Sequence, residues 1–171
     1  MRFVIQTTYD QKGMTAMART LRKTIRRKKS IRTHIFGGVV LAVAALLLIA
    51  EGWPFSANGW LTAIVALIIL VVMVLEDRLN GWLAGKKILP GSEAGETVFT
   101  EEGYVTTTAA AETRWHRGQI KAAFETRDYF MFFLSDRHGQ IYDKHGFLEG
   151  TPEEFRAFIS EQTGKPVEYI K

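Results

Sequence analysis

Two uncharged apolar runs, residues 35–50 and 60–75, constrain this chain more than any other feature. Each is built of aliphatic, aromatic, Gly and Thr residues. With the tolerant flanks Thr33, His34, Asn58 and Gly59, each approaches the ~20 residues that a bilayer-crossing helix needs. Residues 39–49 and 64–75 lack the polar stripe of a half-exposed soluble helix, and the rest of a 171-residue chain is too small to cover both. The pattern predicts a two-helix transmembrane hairpin over 33–77. Its turn is EGWPFSANG, where Trp53, Phe55 and Trp60 gather as interfacial aromatics do. A cleaved leader fits poorly, because about thirty residues precede the first run and no small-x-small cleavage pattern follows it.

Charge supplies the orientation. Residues 1–34 carry ten Lys or Arg against Asp10 alone, whereas residues 76–171 carry twelve bases against sixteen acids. The turn between the apolar runs has no Lys or Arg, while basic residues flank both outer ends, so both termini are expected on the cytoplasmic side. Confinement of the basicity to one segment argues against a nucleic-acid partner. With no cysteine, the chain has neither a disulfide framework nor a thiolate site.

Along the chain, residues 1–9 alternate in the manner of a strand with no local neighbour. Residues 1–10 are therefore expected to join a sheet formed by the C-terminal half. Residues 11–32 contain a basic amphipathic helix, with Met14, Met17, Leu21 and Ile25 at helical spacing over 14–31. Arg19, Arg22, Lys23, Arg26, Arg27, Lys28, Lys29 and Arg32 are the candidate contacts to anionic lipid headgroups; the same composition also serves as a topology signal. Gly81, Gly85, Pro90 and Gly91 mark residues 78–95 as a linker. Residues 96–171 then read as six short strands, at 96–100, 104–108, 111–115, 120–125, 129–134 and 140–143, the fourth and fifth pairing as a hairpin. A helix follows from Thr151, where Thr-Pro-Glu-Glu provides a cap, a first-turn proline and a capping-box Glu154, and it ends at Gly164. The fold class is an α+β membrane protein.

Several segments fall in the order found in one family: FTEEGY at 99–104, Trp115 followed by Ile120, ETRDYFMFFL at 125–134, Lys144 to Phe147, and the aromatic-bearing helix at 152–159. In this order the chain resembles the YcxB-like bacterial membrane proteins. The resemblance implies a C-terminal pleckstrin-homology-like domain, a bent antiparallel sheet of about seven strands capped by a C-terminal helix. It also implies residence in the bacterial cytoplasmic (inner) membrane, and it brings no catalytic residues.

The residues point to no chemistry of their own. His116, His138 and His145 lack partners at metal-ligand spacing, the serines lack a nucleophile-elbow context, and no cofactor motif is present. In 129–134, alternation puts Phe130 and Phe132 on one face and Met131 and Phe133 on the other. Phe on both faces implies burial on both sides or a partner surface formed by Trp115, Phe130 and Phe133. The expectation is a non-enzymatic membrane-anchored protein with a cytoplasmic binding or regulatory module, whose partners are the bilayer, anionic headgroups and an unidentified protein. The alternative is a small homo-oligomeric membrane subunit or transporter accessory, which the absence of charge within either run disfavours.

Overall fold

The computed structural model describes residues 1–136 and 138–170, with the Arg117 side chain left out; Arg137, in the turn expected at 136–139, and Lys171 lie outside the described residues. In chain order the elements are β1 (Phe3–Thr8), α1 (Gln11–Lys23), α2 (Arg27–Glu51), α3 (Ala57–Val74), α4 (Glu76–Gly85), β2 (Ala94–Phe99), β3 (Tyr104–Thr108) and β4 (Glu112–Trp115). After a short 3-10 turn come β5 (Ala122–Glu125), β6 (Tyr129–Phe133), β7 (Gly139–Asp143), β8 (Phe147–Glu149), α5 (Pro152–Thr163) and β9 (Val167–Tyr169). The fold is α+β.

One sheet has the order β4-β3-β2-β1-β8, the other β7-β6-β5-β9. β1 lies inside the first sheet, antiparallel to β2 with Phe3 opposite Phe99 and Ile5 opposite Thr97, and paired on its other edge with β8. Alternation along β1 sends Phe3 and Ile5 into the main core, where they meet Phe99, Phe130, Phe132, Tyr142 and Phe155. Phe3, Phe130, Phe132 and Phe147 all pack against the Phe155 ring, at centroid separations of 5.1–6.0 Å. α5 presents Phe155, Phe158 and Ile159 to this core. Thr151 and Glu154 cap it reciprocally, and Gly164 in the left-handed conformation ends it.

The opposite face of the second sheet carries Phe124, Met131, Phe133 and Ile141, and α1 covers it with Met14, Met17 and Leu21 while Ala84 and Ile88 pack at its margin. Phe130 and Phe133, expected as part of a partner surface, are therefore interior, 0% and 1% exposed. Only half-buried Trp115 of that trio remains accessible, its ring 5.2 Å from that of His138. Phe on both faces of β6 reflects a strand covered on both sides.

Three boundaries differ from expectation, the first being the end of the hairpin, since α3 stops at Val74 and residues 76–77 open α4. The basic stretch is not one helix, because the chain breaks over residues 24–26 and Arg27 begins α2. Thr24 ends α1 by donating its hydroxyl back to the Thr20 carbonyl at 2.6 Å. Residues 78–95 are not simply a linker, since most of α4 occupies them and β2 begins at Ala94.

α2 and α3 are long and apolar enough to cross a membrane. At 1.5 Å per residue they measure roughly 37 and 27 Å. Little of either is buried: Phe36, Leu46, Ile49, Leu61 and Val74 are all more than 60% exposed. The two pack where a side chain at Gly37 would meet Met73. At their far end Trp53, Phe55 and Trp60 form a mutually edge-on trio with centroids 5.3–5.8 Å apart.

Candidate membrane-proximal basic site

Where the two apolar helices meet the β domain, α1 and α4 form a clamp. α1 starts at Asp10, whose carboxylate accepts from the Gly13 amide at 2.7 Å. α4 follows α3 after Leu75 and runs past α1 closely enough that a β-carbon on Gly81 would lie 2.7 Å from the Thr15 backbone. Glycine is therefore required at Gly81 for the approach of two helices, not as a helix breaker.

The clamp is fastened by charge. Arg22 donates through Nε and Nη2 to the two oxygens of Asp77, at 2.6 and 2.7 Å, and Arg19 stands 3.5 Å from the same carboxylate. Burial opposes ionisation of Asp77, but the Arg22 hydrogen bond and the charges of Arg22 and Arg19 outweigh it, holding the carboxyl below the usual range. The same hydrogen bond raises the Arg22 pKa further. Beside this pair Glu76 Oε2 is buried without a hydrogen-bond partner among the described residues, 3.8 Å from Arg22 Nε and 3.5 Å from His34 Nε2. Acids at the head of α4 thus meet bases from α1 and α2, an arrangement that the helix dipole of α4 also favours.

The eight basic candidates divide by these contacts. Arg19 and Arg22 are engaged by Asp77. Arg26 directs two donors at the Asp136 carbonyl, 2.9 and 2.7 Å away, tying the break after α1 to the β6–β7 turn. Arg27, Lys28, Lys29 and Arg32 are exposed around the first turns of α2, and Lys23 is exposed at the end of α1. Three of the set hold the protein together, and four crown the end of an apolar helix. Sequence reasoning missed Asp77, although an Asp following an apolar run, opposite a basic helix, is the available signal.

A separate charge cluster lies in the domain. Glu125, 2% exposed, accepts from Lys144 Nζ at 2.5 Å, from Arg156 Nη2 at 2.8 Å and from Arg156 Nε. Burial raises the Glu125 pKa, and the two bases more than reverse that rise. This cluster joins the β5 end, the β7–β8 turn and α5. His145 pairs with Asp143 at 3.1 Å. Among the described residues, no group of three His, Asp or Glu side chains is arranged to hold a metal.

The YcxB-like protein family model matches residues 99–159, about a third of the chain, from the end of β2 into α5. The match bears out the resemblance drawn from the motifs at 99–104, 125–134 and 144–159. No curated protein and no solved structure matches.

Proposed function

We propose that this chain is a non-enzymatic membrane-anchored protein in which α2 and α3 form a transmembrane hairpin of the bacterial inner membrane and the β domain is a cytoplasmic binding or regulatory module. The observation that carries the reading is the uncovered apolar surface of both helices, bounded by the Trp53, Phe55 and Trp60 trio at one end and the Arg27, Lys28, Lys29 and Arg32 crown at the other. α4 adds to it. Trp82 and Leu83 are exposed on α4 and Lys86 Nζ lies 3.8 Å over the Trp82 ring, the composition of a helix resting in a membrane interface. Each exposed base at the head of α2 would contribute about 1 kcal/mol to attraction by an anionic leaflet.

The domain is read as pleckstrin-homology-like. The meander β1 to β4 faces the three-stranded meander β5 to β7, with α5 packed into the core between them; β8 and β9 are additions at sheet edges. The module would bind an anionic headgroup or a protein partner close to the bilayer.

Cysteine labelling tests the anchor and its orientation, because the chain has no cysteine of its own. With Asn58→Cys and Glu161→Cys made singly, an impermeant maleimide added to intact cells is expected to reach only Asn58→Cys. Labelling of Glu161→Cys from outside overturns the orientation, and release of the protein from membranes by alkaline carbonate overturns the hairpin.

A further inference from the structure

We propose that a cavity of about 840 Å³ between α1, the head of α4, the β5–β6 turn and the C-terminal segment at 169–170 binds a phosphate-bearing anion, held by Arg78 and Arg127. The volume lies within the 300–1,000 Å³ range of small-ligand sites. Among the described residues four bases line it, Lys12, Arg19, Arg78 and Arg127, against the single acid Asp128. Lys12 is neutralised by Asp128 at 2.9 Å, and Arg19 is turned to Asp77 at 3.5 Å. Among the described residues Arg78 and Arg127 make no hydrogen bond or ion pair, and the Arg127 charge acts on Asp128 only as a minor partner beside Lys12.

These two exposed guanidinium groups come from distant parts of the chain, and the fold places both in the lining of one cavity. It does so with a tight turn. The Thr126 amide donates to the Tyr129 carbonyl at 2.8 Å and the Tyr129 amide donates to the Thr126 hydroxyl at 3.1 Å, which holds Arg127 and Asp128 at the tip. The Lys12–Asp128 pair then pins this tip to α1. A topology signal does not account for Arg127, because the positive-inside bias counts only the ~15–20 residues beside a span, and α3 ends at Val74.

The excess of positive charge in the lining asks for a dianion, and planar guanidinium forks match phosphate oxygens two at a time. Ala16, Ile170 and the Tyr129 ring supply an apolar wall for whatever carries the phosphate. Arg78, in the first turn of α4, lies four residues past the C-terminal end of the apolar helix α3. A lipid headgroup is therefore one source of the phosphate, and that source rests on the membrane reading above; a soluble phosphate ester is the other.

The test uses the full chain in phosphatidylcholine nanodiscs. Phosphatidic acid at a few mole per cent, counted by native mass spectrometry of the released protein, probes the lipid source, and glycerol 3-phosphate titrated by calorimetry probes the soluble one. Saturable binding of at least one probe is expected, weakened at least tenfold by Arg78→Gln with Arg127→Gln. The charge-matched control, Arg114→Gln with Lys121→Gln, changes it less than twofold. Retention of phosphatidic acid alone assigns a headgroup, and binding of glycerol 3-phosphate alone assigns a soluble ester. Saturable binding of neither probe, or equal weakening by both double variants, overturns the site. Carbonate extraction of the cell membranes before purification reports separately on the hairpin, and the calorimetric arm, run on the full chain in detergent as well, retains its force if the hairpin fails.

Discussion

Gly150, at φ 84°, holds its α-carbon against the ring of Phe3, so that a β-carbon there would fall inside the van der Waals radius of the ring. The strand nearest the N-terminus and the turn that launches α5 are thus packed against one another. Gly150→Ala combines a left-handed backbone strain of about 1–2 kcal/mol with overpacking of similar size. A loss of roughly 2–4 kcal/mol is expected in denaturant titrations followed by near-ultraviolet circular dichroism.

Substituting proline at Ile5 tests the same strand from within. Ile5 is fully buried between β2 and β8. Ile5→Pro removes its amide and most of its side-chain burial, so the β domain itself should lose at least ~2 kcal/mol. An unchanged melting midpoint would show that β1 is dispensable.

Two glycines of α4 should respond in opposite directions. Gly81→Ala pushes a methyl into the Thr15 backbone and should cost about 1–3 kcal/mol, more than the helix propensity it gains. Among the described residues outside its own helix turn, nothing lies within 4 Å of the missing β-carbon of Gly85, so Gly85→Ala should be neutral or gain up to ~1 kcal/mol. Thermal melts of the two variants in one detergent make the comparison.

Acid should loosen the domain through Glu125. Its folded pKa lies below its unfolded value, so the stability it contributes is complete above the unfolded carboxylate pKa of about 4.3 and is lost as pH falls through the depressed folded value. Glu125→Gln leaves Lys144 and Arg156 facing an amide. It should cost roughly 2–4 kcal/mol at neutral pH and flatten the acid limb of a stability-against-pH curve.

Asp77 carries the same sign at the clamp, where its lowered pKa makes the Arg22 pair persist until pH falls below the ordinary carboxylate range. A double-mutant cycle over Arg22→Ala and Asp77→Ala should give a coupling of about 1–2 kcal/mol, because both hydrogen bonds are charge-assisted and Asp77 is only 13% exposed. Coupling near zero would reduce the pair to a solvated surface contact.

What could be read in advance followed from local rules. Thr151 and Glu154 announce their helix by a capping rule that needs no neighbour, and alternation alone sorts Phe130 from Phe133. Which layer covers each face could not be read, because α1 reaches Phe133 only after the sheet exists. The break at residues 24–26 was hidden for a like reason: no Gly or Pro marks it, and helical spacing runs through it, while Arg26 finds the Asp136 carbonyl 110 positions away. Gly81 misled in the opposite sense, because a residue that permits close helix packing has the same identity as one that ends a helix. Arg127 carried no signal, since its place in one lining with Arg78 exists only in the assembled cavity.

β1 is synthesised before both apolar helices, and its partners β2 and β8 are synthesised after them. Under the proposed topology, the sheet closes only if the chain has entered the bilayer and come back on the side from which it started. A chain whose second helix fails to return leaves β1 and its partners on opposite sides, where no folding time can unite them. The finished domain is then a receipt for correct insertion, and a mis-inserted copy would leave uncovered Phe3, Ile5 and Phe99, which the closed sheet buries.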